Sequence, residues 1–222
     1  WTGSTAIDLG DLGGMESGAA HALNDSTQVV GYASHSGGYD HAFLWENGVM
    51  IDLGTLNNGT SDATEIRVTA INENGQIVGN AGFGRRGQTI GFLWENGSMI
   101  SLGTLSGGDS RAFAINNNGQ VVGSSRTVDG DSHAFVWQNG TMTDLGTLGG
   151  SDSDATAINE AGQIVGSSAT TNVWSHAFIA TISLNTPVGS NVTVQPVDAT
   201  GGTAPVTLTF AQITQAGTTS LT

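Results

Sequence analysis

Lysine and cysteine are both missing from this 222-residue sequence, and proline occurs only three times. Without cysteine the chain has neither disulfides nor thiolate chemistry, although this absence says nothing about its redox compartment. The five Arg residues stand against 19 Asp and Glu residues, so the formal net charge is −14. Binding to a nucleic-acid backbone needs the opposite charge balance, and we therefore do not expect nucleic acid among the partners.

Long apolar runs are missing as well. No stretch approaches the roughly 18 to 20 consecutive apolar residues of a membrane-spanning helix, so membrane insertion is not expected. Strong acidity is typical of a soluble secreted protein, or of one that recruits Ca²⁺, and charge alone does not choose between them. The sequence begins at Trp1 rather than at Met, from which we expect a mature exported chain or an excised fragment.

The familiar enzyme motifs are also absent. The sequence contains no GxSxG, no HExxH, no phosphate-binding P-loop and no dinucleotide fingerprint. With neither Lys nor Cys, a nucleophile would have to be Ser, Thr or a carboxylate, and none of these has a distinctive setting. We therefore predict that the chain is not an enzyme; a glycosidase-like carboxylate pair is the alternative that stays open.

The dominant feature that is present is an internal repeat. The stretch HAFLWENGVMIDLGTL at His41 to Leu56 returns as HAFVWQNGTMTDLGTL at His133 to Leu148. A weaker copy, IGFLWENGSMISLGTL, lies at Ile90 to Leu105, and a fourth beginning, HAFIATI, starts at His176. Self-similarity with a period of about 43 to 49 residues indicates a repeat architecture.

Each full copy predicts a β-hairpin. All three carry an Asn-Gly pair, at positions 47–48, 96–97 and 139–140. Asn-Gly favours the two positive-φ positions of a type I′ turn with a two-residue loop. In the first copy this loop places Trp45 opposite Met50 and Phe43 opposite Asp52, because loop length sets the register. Both faces are then largely apolar, so we expect the hairpin to be covered on both sides.

A second hairpin precedes each copy, with the pattern Ala-Ile-Asn (Ala-Leu-Asn before the first copy), a turn, and Gln-Val/Ile-Val-Gly. Its Asn74-Gly75 and Asn118-Gly119 pairs again predict type I′ turns. Two hairpins per repeat and four repeats predict an all-β fold, a four-bladed β-propeller of four-stranded blades.

The two ends of the repeat region carry half-hairpins. Residues Thr5 to Gly14 look like the second half of the repeat, and the copy at His176 lacks that half. We therefore expect the N-terminal strand to complete the last blade and close the ring, which removes exposed sheet edges. An open β-solenoid, the alternative fold, would leave both half-hairpins unpaired.

The composition changes at about Ser183, after which Thr, Val and Ser dominate. We therefore divide the chain into a propeller at residues 1–182 and a C-terminal β-rich segment at residues 183–222. Roughly 40 residues are too few for an independent β-sandwich. The segment is expected to begin a longer domain, to pack along the propeller, or to add its strands to a neighbouring molecule.

Histidine and aspartate occur together in the repeats. The predicted pairs are His41 with Asp52, His133 with Asp144, and His176 with Asp8 of the N-terminal strand. In the weaker copy both residues are replaced, by Ile90 and Ser101. The register places the two members of a pair diagonally on one face, within hydrogen-bond reach. Because the pair recurs once per blade, we interpret it as structural and prefer this reading to a catalytic or metal-binding His.

The loops differ between repeats, and variable loops on a repeated frame are where we expect partner recognition. Candidate ligand-binding residues are Trp174, Arg85 and Arg86, all in crossing loops. One Trp ends the first strand of each full copy, at positions 45, 94 and 137, and we expect these residues to pack in the core. Trp174 lies outside this pattern, so we expect it to be exposed and able to stack on a sugar ring. The candidate Ca²⁺ ligands are the loop residues Asp129, Asp131, Asp152 and Asp154, although the twelve-residue calcium-loop spacing is absent. We expect no other cofactor.

The motifs HAFLWENGVMIDLGTL and INENGQIVG together resemble the HAF-repeat family, an extracellular repeat of secreted bacterial proteins. The resemblance covers roughly residues 5–180 and includes both halves of the motif. It implies a repetitive β fold and a secreted or cell-surface location in bacteria, and it assigns no catalytic residues.

We therefore expect a non-enzymatic secreted or cell-surface module with a structural or binding role. One alternative is a subunit of an extracellular filament or assembly, joined through its C-terminal strands. The other is a carbohydrate-binding propeller. The expected partners are copies of the chain itself, cell-surface components or glycans.

Overall fold

A computed structural model of the chain describes residues 5–56, 63, 65–83, 87–172, 174–182, 192–196 and 208–209. Every regular element among these residues is a β-strand. No helix in this part of the chain is long and apolar enough to cross a membrane. The chain divides into two compact units, Trp1–Ser101 and Leu102–Thr222.

Each unit contains two antiparallel sheets whose strands follow one another in chain order. In the first unit, sheet 1 contains β1 (Gly13–Leu23), β2 (Val29–His35), β3 (Asp40–Glu46) and β4 (Val49–Gly54), and sheet 2 contains β5 (Glu65–Ile71), β6 (Ile77–Phe83), β7 (Gln88–Glu95) and β8 (Ser98–Ser101). In the second unit, sheet 3 contains β9 (Ser106–Ile115), β10 (Val121–Thr127), β11 (Ser132–Gln138) and β12 (Thr141–Gly146). Sheet 4 contains β13 (Gly149–Ile158), β14 (Gln163–Thr170), β15 (Ser175–Ile182), β16 (Val192–Pro196) and β17 (Leu208–Thr209). The prediction of an all-β chain built from antiparallel sheets is confirmed.

The hairpin between the third and fourth strands of sheet 1 has the predicted turn and register. Asn47 and Gly48 have φ values of 52° and 81°, and the pairs at 96–97 and 139–140 are also left-handed. Trp45 pairs with Met50, and Phe43 pairs with Asp52. The third strand is buried on both faces at its centre, whereas the fourth strand has no buried residue and is half exposed. The prediction that the hairpin is covered on both faces is therefore correct for β3 only.

The turn of the other hairpin differs from the prediction. Gly75 has a positive φ of 74° and Asn74 does not, so the loop is not a type I′ turn but a longer loop that ends in a left-handed Gly. The side chain of Asn72 explains the difference. Its Oδ1 accepts the N–H groups of Asn74 at 3.0 Å and of Gln76 at 2.9 Å. The same arrangement recurs at residues 116–120.

Sheet 1 departs from the other sheets at this left-handed position. The equivalent residues are Thr27 in sheet 1 and Gly75, Gly119 and Gly162 in sheets 2, 3 and 4. Thr27 has a φ of 63°. A β-branched residue rarely adopts this conformation, which costs an L-residue about 1–2 kcal/mol.

A bulge in the first strand of each sheet faces a glycine of the second strand. In sheet 3 the pairing of β9 with β10 skips Phe113, next to the pair Gly123–Ala112. A Cβ atom on Gly123 would overlap the carbonyl oxygen of Arg111. Gly31, Gly79 and Gly166 meet a backbone carbonyl in the same way. The glycine of the repeated Val-Gly is therefore required because the backbone of the first strand comes too close for a side chain at this position.

Each unit has its own apolar core. In the first unit, β5 packs against β1, β2 and β3, and the core is centred on Ile66, Ile77 and Phe92. In the second unit, β13 packs against β9, β10 and β11, and the core includes Val122 and Ile164. The first strand of the later sheet thus covers the earlier sheet in both units.

Buried amides join the two sheets of each unit. Asn116 is 2% exposed, and its Nδ2 donates to Gln120 Oε1 at 2.7 Å and to the carbonyl of Asn159 at 3.0 Å. Asn24 makes the equivalent bond in the first unit, to the carbonyl of Asn72 at 3.1 Å. Asn24 and Asn116, the Asn residues of the Ala-Leu-Asn and Ala-Ile-Asn tripeptides, therefore both shape their own turns and reach the next sheet.

The partner of β15 differs from the prediction. Its outer edge pairs with β16 over the five residues Val192–Pro196, and β17 pairs with β16. Residues 5–11 belong to no strand. A strand edge has a single row of hydrogen-bonding groups, so the nearby C-terminal strand takes the place assigned to the N-terminal strand. The C-terminal segment was expected to begin a longer domain, to pack along the propeller or to join a neighbouring molecule. Its described strands pair with β15 of the same chain, which agrees with the second expectation.

Candidate functional site

Two of the three predicted His–Asp pairs are hydrogen-bonded. His41 Nδ1 lies 2.9 Å from Asp52 Oδ1 and 3.0 Å from Oδ2, and His133 Nδ1 lies 2.8 Å from Asp144 Oδ2. Each Asp also accepts the N–H of the Gly two residues later, at 2.7 Å, so the Asp-Leu-Gly turn orients the carboxylate. The four side chains are between 19% and 36% exposed. The pairs are therefore accessible to water rather than buried.

The residues of the third predicted pair, His176 and Asp8, belong to different units, and their pairing stays a prediction. Asp8 keeps the local turn of its motif, because its Oδ1 accepts the N–H of Gly10 at 3.0 Å. His176 is exposed on β15, and the pairing of this strand with β16 begins two residues later, at Phe178. The pairing assumed that the N-terminal strand lies along the outer edge of β15, whereas residues 178–182 of that edge pair with β16.

The carboxylate beside His133 changes the proton affinity of the ring. The hydrogen bond to Asp144 raises the pKa of His133, partial burial opposes the rise, and the charges of Asp144, Asp131 and Asp152 add to it. Because the folded-state pKa is raised, protonated His133 stabilises the fold at low pH. This contribution is lost as the pH rises through the raised pKa.

A third side chain joins the pair in sheet 1. The rings of His35 and His41 stack with their centroids 4.2 Å apart and their planes 2° from parallel. His35 Nε2 lies 3.9 Å from Asp52 Oδ2, and His35 Nδ1 accepts the N–H of Gly37 at 3.1 Å. Within the part of the chain that the structure describes, only these three side chains form a group of metal-ligating atoms that all lie within 4.8 Å of one another.

The four Asp residues predicted as Ca²⁺ ligands do not form such a group among the described residues. Asp152 accepts the Ser151 hydroxyl and the Ser132 N–H, and these bonds, the first being the larger effect, lower its pKa. Asp152 thereby holds the start of β11 beside β13. Asp129 is exposed, whereas Asp131 and Asp154 are partly buried.

Three crossing loops, which connect the second and third strands of a sheet, each expose one large apolar side chain. Tyr39 in sheet 1 is 55% exposed, Val128 in sheet 3 is 78% exposed and Trp174 in sheet 4 is 72% exposed. The expected exposure of Trp174 is thus observed, while its carbonyl accepts the N–H of Thr170 at 2.9 Å. Arg85 and Arg86, in the crossing loop of sheet 2, lie outside the described residues.

His35 is the site residue that sequence reasoning missed. It lies in the variable crossing loop region and has no counterpart in the other repeats, so comparison of the repeats does not reveal it. A usable signal was present, because a short loop joins His35 to His41 and brings two strand ends together. The repeated Asn of Ala-Ile-Asn was likewise visible in the sequence, but the bond from Asn116 to the next sheet was not predicted.

Comparison with known proteins finds likeness among solved structures. No family model matches the chain, and no curated protein matches it. Among solved structures, TolB from Acinetobacter baumannii is similar, with a TM-score of 0.50 and 12% sequence identity. The likeness covers 88% of this chain and 55% of the TolB chain, so the chain spans about half the length of that protein. At this identity it shows the fold alone, a β-propeller-like all-β arrangement.

Proposed function

We propose that this chain is a non-enzymatic binding module of bacterial origin, exported or held at the cell surface, on a four-bladed β-propeller frame. Four sheets with the same strand order support the frame, as does the likeness to TolB over 88% of the chain. In this proposal sheets 1 to 4 are the blades. β16 takes the place of the outermost strand in the last blade, where the N-terminal strand was expected.

The main support for the proposal is that the four sheets share their turns and bulges, whereas the loops between the second and third strands differ. Turns, bulges and amide bonds repeat from sheet to sheet, whereas the crossing loops differ and expose Tyr39, Val128 and Trp174. In a meander the crossing loop leaves the sheet at the end opposite to the other two loops. In a propeller the equivalent loops of successive blades open on one face. Val128 and Trp174, both in the second unit, would then lie on one recognition face.

Trp174 favours a carbohydrate as the ligand. An exposed indole can stack on the apolar face of a sugar ring, and the surrounding loops supply hydroxyl and amide groups for its polar edge. The net charge of −14 repels anionic polymers, so neutral glycans are the expected class.

The test is binding of the full chain to an array of neutral glycans, followed by titration of the strongest ligand. Trp174→Ser is expected to weaken binding by about tenfold or more, the equivalent of about 1.4 kcal/mol. Val49→Ser is the matched control, since Val49 is 57% exposed at the opposite end of its sheet. Equal affinity of both variants would contradict recognition by the crossing loops, and a lack of any glycan ligand would contradict the ligand class.

The alternative role as an assembly subunit makes a different prediction for mass in solution. Because β16 pairs with β15 of the same chain, we expect light scattering to give the mass of one chain at all concentrations. Larger species that grow with concentration would instead favour assembly through the C-terminal strands. Export is tested by fractionating the source cells, and detection in the cytoplasm alone would contradict it.

A further inference from the structure

We propose that His35, His41 and Asp52 bind one divalent transition-metal ion of the zinc class, at the crossing-loop end of sheet 1. This inference does not depend on the recognition face proposed above. Its basis is the mutual distance of the three ligating groups, whose atoms all lie within 4.8 Å of one another.

The backbone of three neighbouring strands places the three side chains on one face. His41 on β3 pairs with Ala33 on β2, and His35 follows two residues after Ala33, so both imidazoles share a face. Asp52 on β4 pairs with Phe43, two residues after His41, and therefore lies on that face as well. The register alone brings the three groups together, without a specialised loop.

The separations between the ligating atoms suit a transition metal once one imidazole turns out of the parallel stack, so that the lone pairs of both nitrogens point at the ion. Zn²⁺ lies about 2.0–2.2 Å from nitrogen and carboxylate ligands, which separates neighbouring ligand atoms by about 3–4 Å. The observed separations from Asp52 are 2.9 Å to His41 Nδ1 and 3.9 Å to His35 Nε2. Two imidazole nitrogens and one carboxylate select zinc, copper or nickel over calcium and magnesium, which prefer oxygen ligands. A water molecule would complete a tetrahedral site.

Metal binding requires a change of tautomer in both rings. In the structure His41 Nδ1 faces Asp52, so this nitrogen carries the proton of that hydrogen bond. The metal replaces this proton, and His41 then carries its proton on Nε2. His35 Nδ1 now accepts the N–H of Gly37; with metal on Nε2, Nδ1 carries the proton and this bond is released. Gly37 and Gly38 are exposed, so the turn can rotate its peptide toward water.

Sheet 3 shows that the His–Asp pair does not need a third member. His133 and Asp144 form the same pair, and Ser125 lies opposite His133 as Ala33 lies opposite His41. Two residues after Ser125 the chain has Thr127, where sheet 1 has His35. His35 therefore adds a ligand to an arrangement that forms without it.

The experiment is a titration of the tag-free full chain with Co²⁺ alone, followed by visible absorption and calorimetry, and then displacement by Zn²⁺. We expect one Co²⁺ per chain with the intense visible bands of a tetrahedral site. His35→Thr, which copies sheet 3, is expected to weaken binding by about tenfold or more. His133→Gln is the matched control and should bind as the unmodified chain does.

Three results would overturn the proposal. They are no binding at millimolar Co²⁺ or Zn²⁺, unchanged affinity of His35→Thr, and an equal loss in His133→Gln. Because His35 is partly exposed at the end of β2, the Thr variant is expected to fold, and its circular dichroism spectrum checks this. Asp52→Asn is a second variant, which should lose binding if the carboxylate is a ligand.

Discussion

Replacement of Asn116 by Ala should cost much more stability than the same change at the equivalent residue of the last sheet. Four side-chain hydrogen bonds join Asn116 to described residues, two from Nδ2 to Gln120 Oε1 and the Asn159 carbonyl, and two to Oδ1 from the N–H groups of Asn118 and Gln120. Asn116 is 2% exposed and Gln120 is fully buried, so water cannot replace these partners. At about 1 kcal/mol for each bond, we expect a loss of about 4 kcal/mol in the free energy of unfolding.

Asn159 provides the matched control. Its side chain makes the same turn contacts, with the N–H groups of Ala161 and Gln163 and with Gln163 Oε1, but it is exposed. Water can satisfy these groups in the Ala variant, so the expected loss is about 1 kcal/mol. Urea unfolding followed by tryptophan fluorescence measures both values. Losses equal within about 0.5 kcal/mol would refute the reasoning that burial and the bond to the next sheet provide the difference.

Three further predictions concern single residues of the frame. Thr27→Gly should raise the free energy of unfolding by up to about 1 kcal/mol and thereby the urea midpoint, because it removes a left-handed β-branched residue; a lower midpoint would contradict this. His133→Gln should destabilise the fold more at pH 5.5 than at pH 8.5, since Asp144 raises the pKa of His133 and the protonated form stabilises the fold below about pH 6.5. Equal thermal shifts at the two pH values would argue against that coupling. Gly123→Ala should cost about 2–3 kcal/mol, because its Cβ meets the Arg111 carbonyl, whereas Gly108→Ala, which has open space, should be nearly neutral in the same urea assay.

The sequence predicted the local geometry well where a single turn controls it. Asn47-Gly48 and the alternation of its flanking residues were enough to place Phe43 opposite Asp52, because a two-residue loop leaves one register. The same rule failed at Asn74-Gly75. There the side chain of Asn72 binds the turn backbone and selects a longer loop, and this competing hydrogen bond is not part of the dipeptide signal.

The metal-ligating group and the edge of sheet 4 show a different limit. Repetition drew attention to residues that recur, and His35 does not recur, so its stacking on His41 was visible only in the folded chain. The alternation of residues also did not determine which segment pairs with the outer edge of β15. Both the N-terminal residues 5–11 and the segment Val192–Pro196 can form a strand, and alternation does not rank them.

The amino-acid sequence by itself determined that the chain is all-β, that its strands come in repeated hairpins, and which residues face each other across the Asn-Gly turns. These properties depend on contacts between residues close in the chain, where turn chemistry and alternation act directly. Only the tertiary structure decided that Asn116 reaches Asn159, that β16 covers β15, and that His35 joins His41 and Asp52. Those contacts join residues that different strands, bulges and sheets bring together, and their distances follow from the folded backbone rather than from any local pattern.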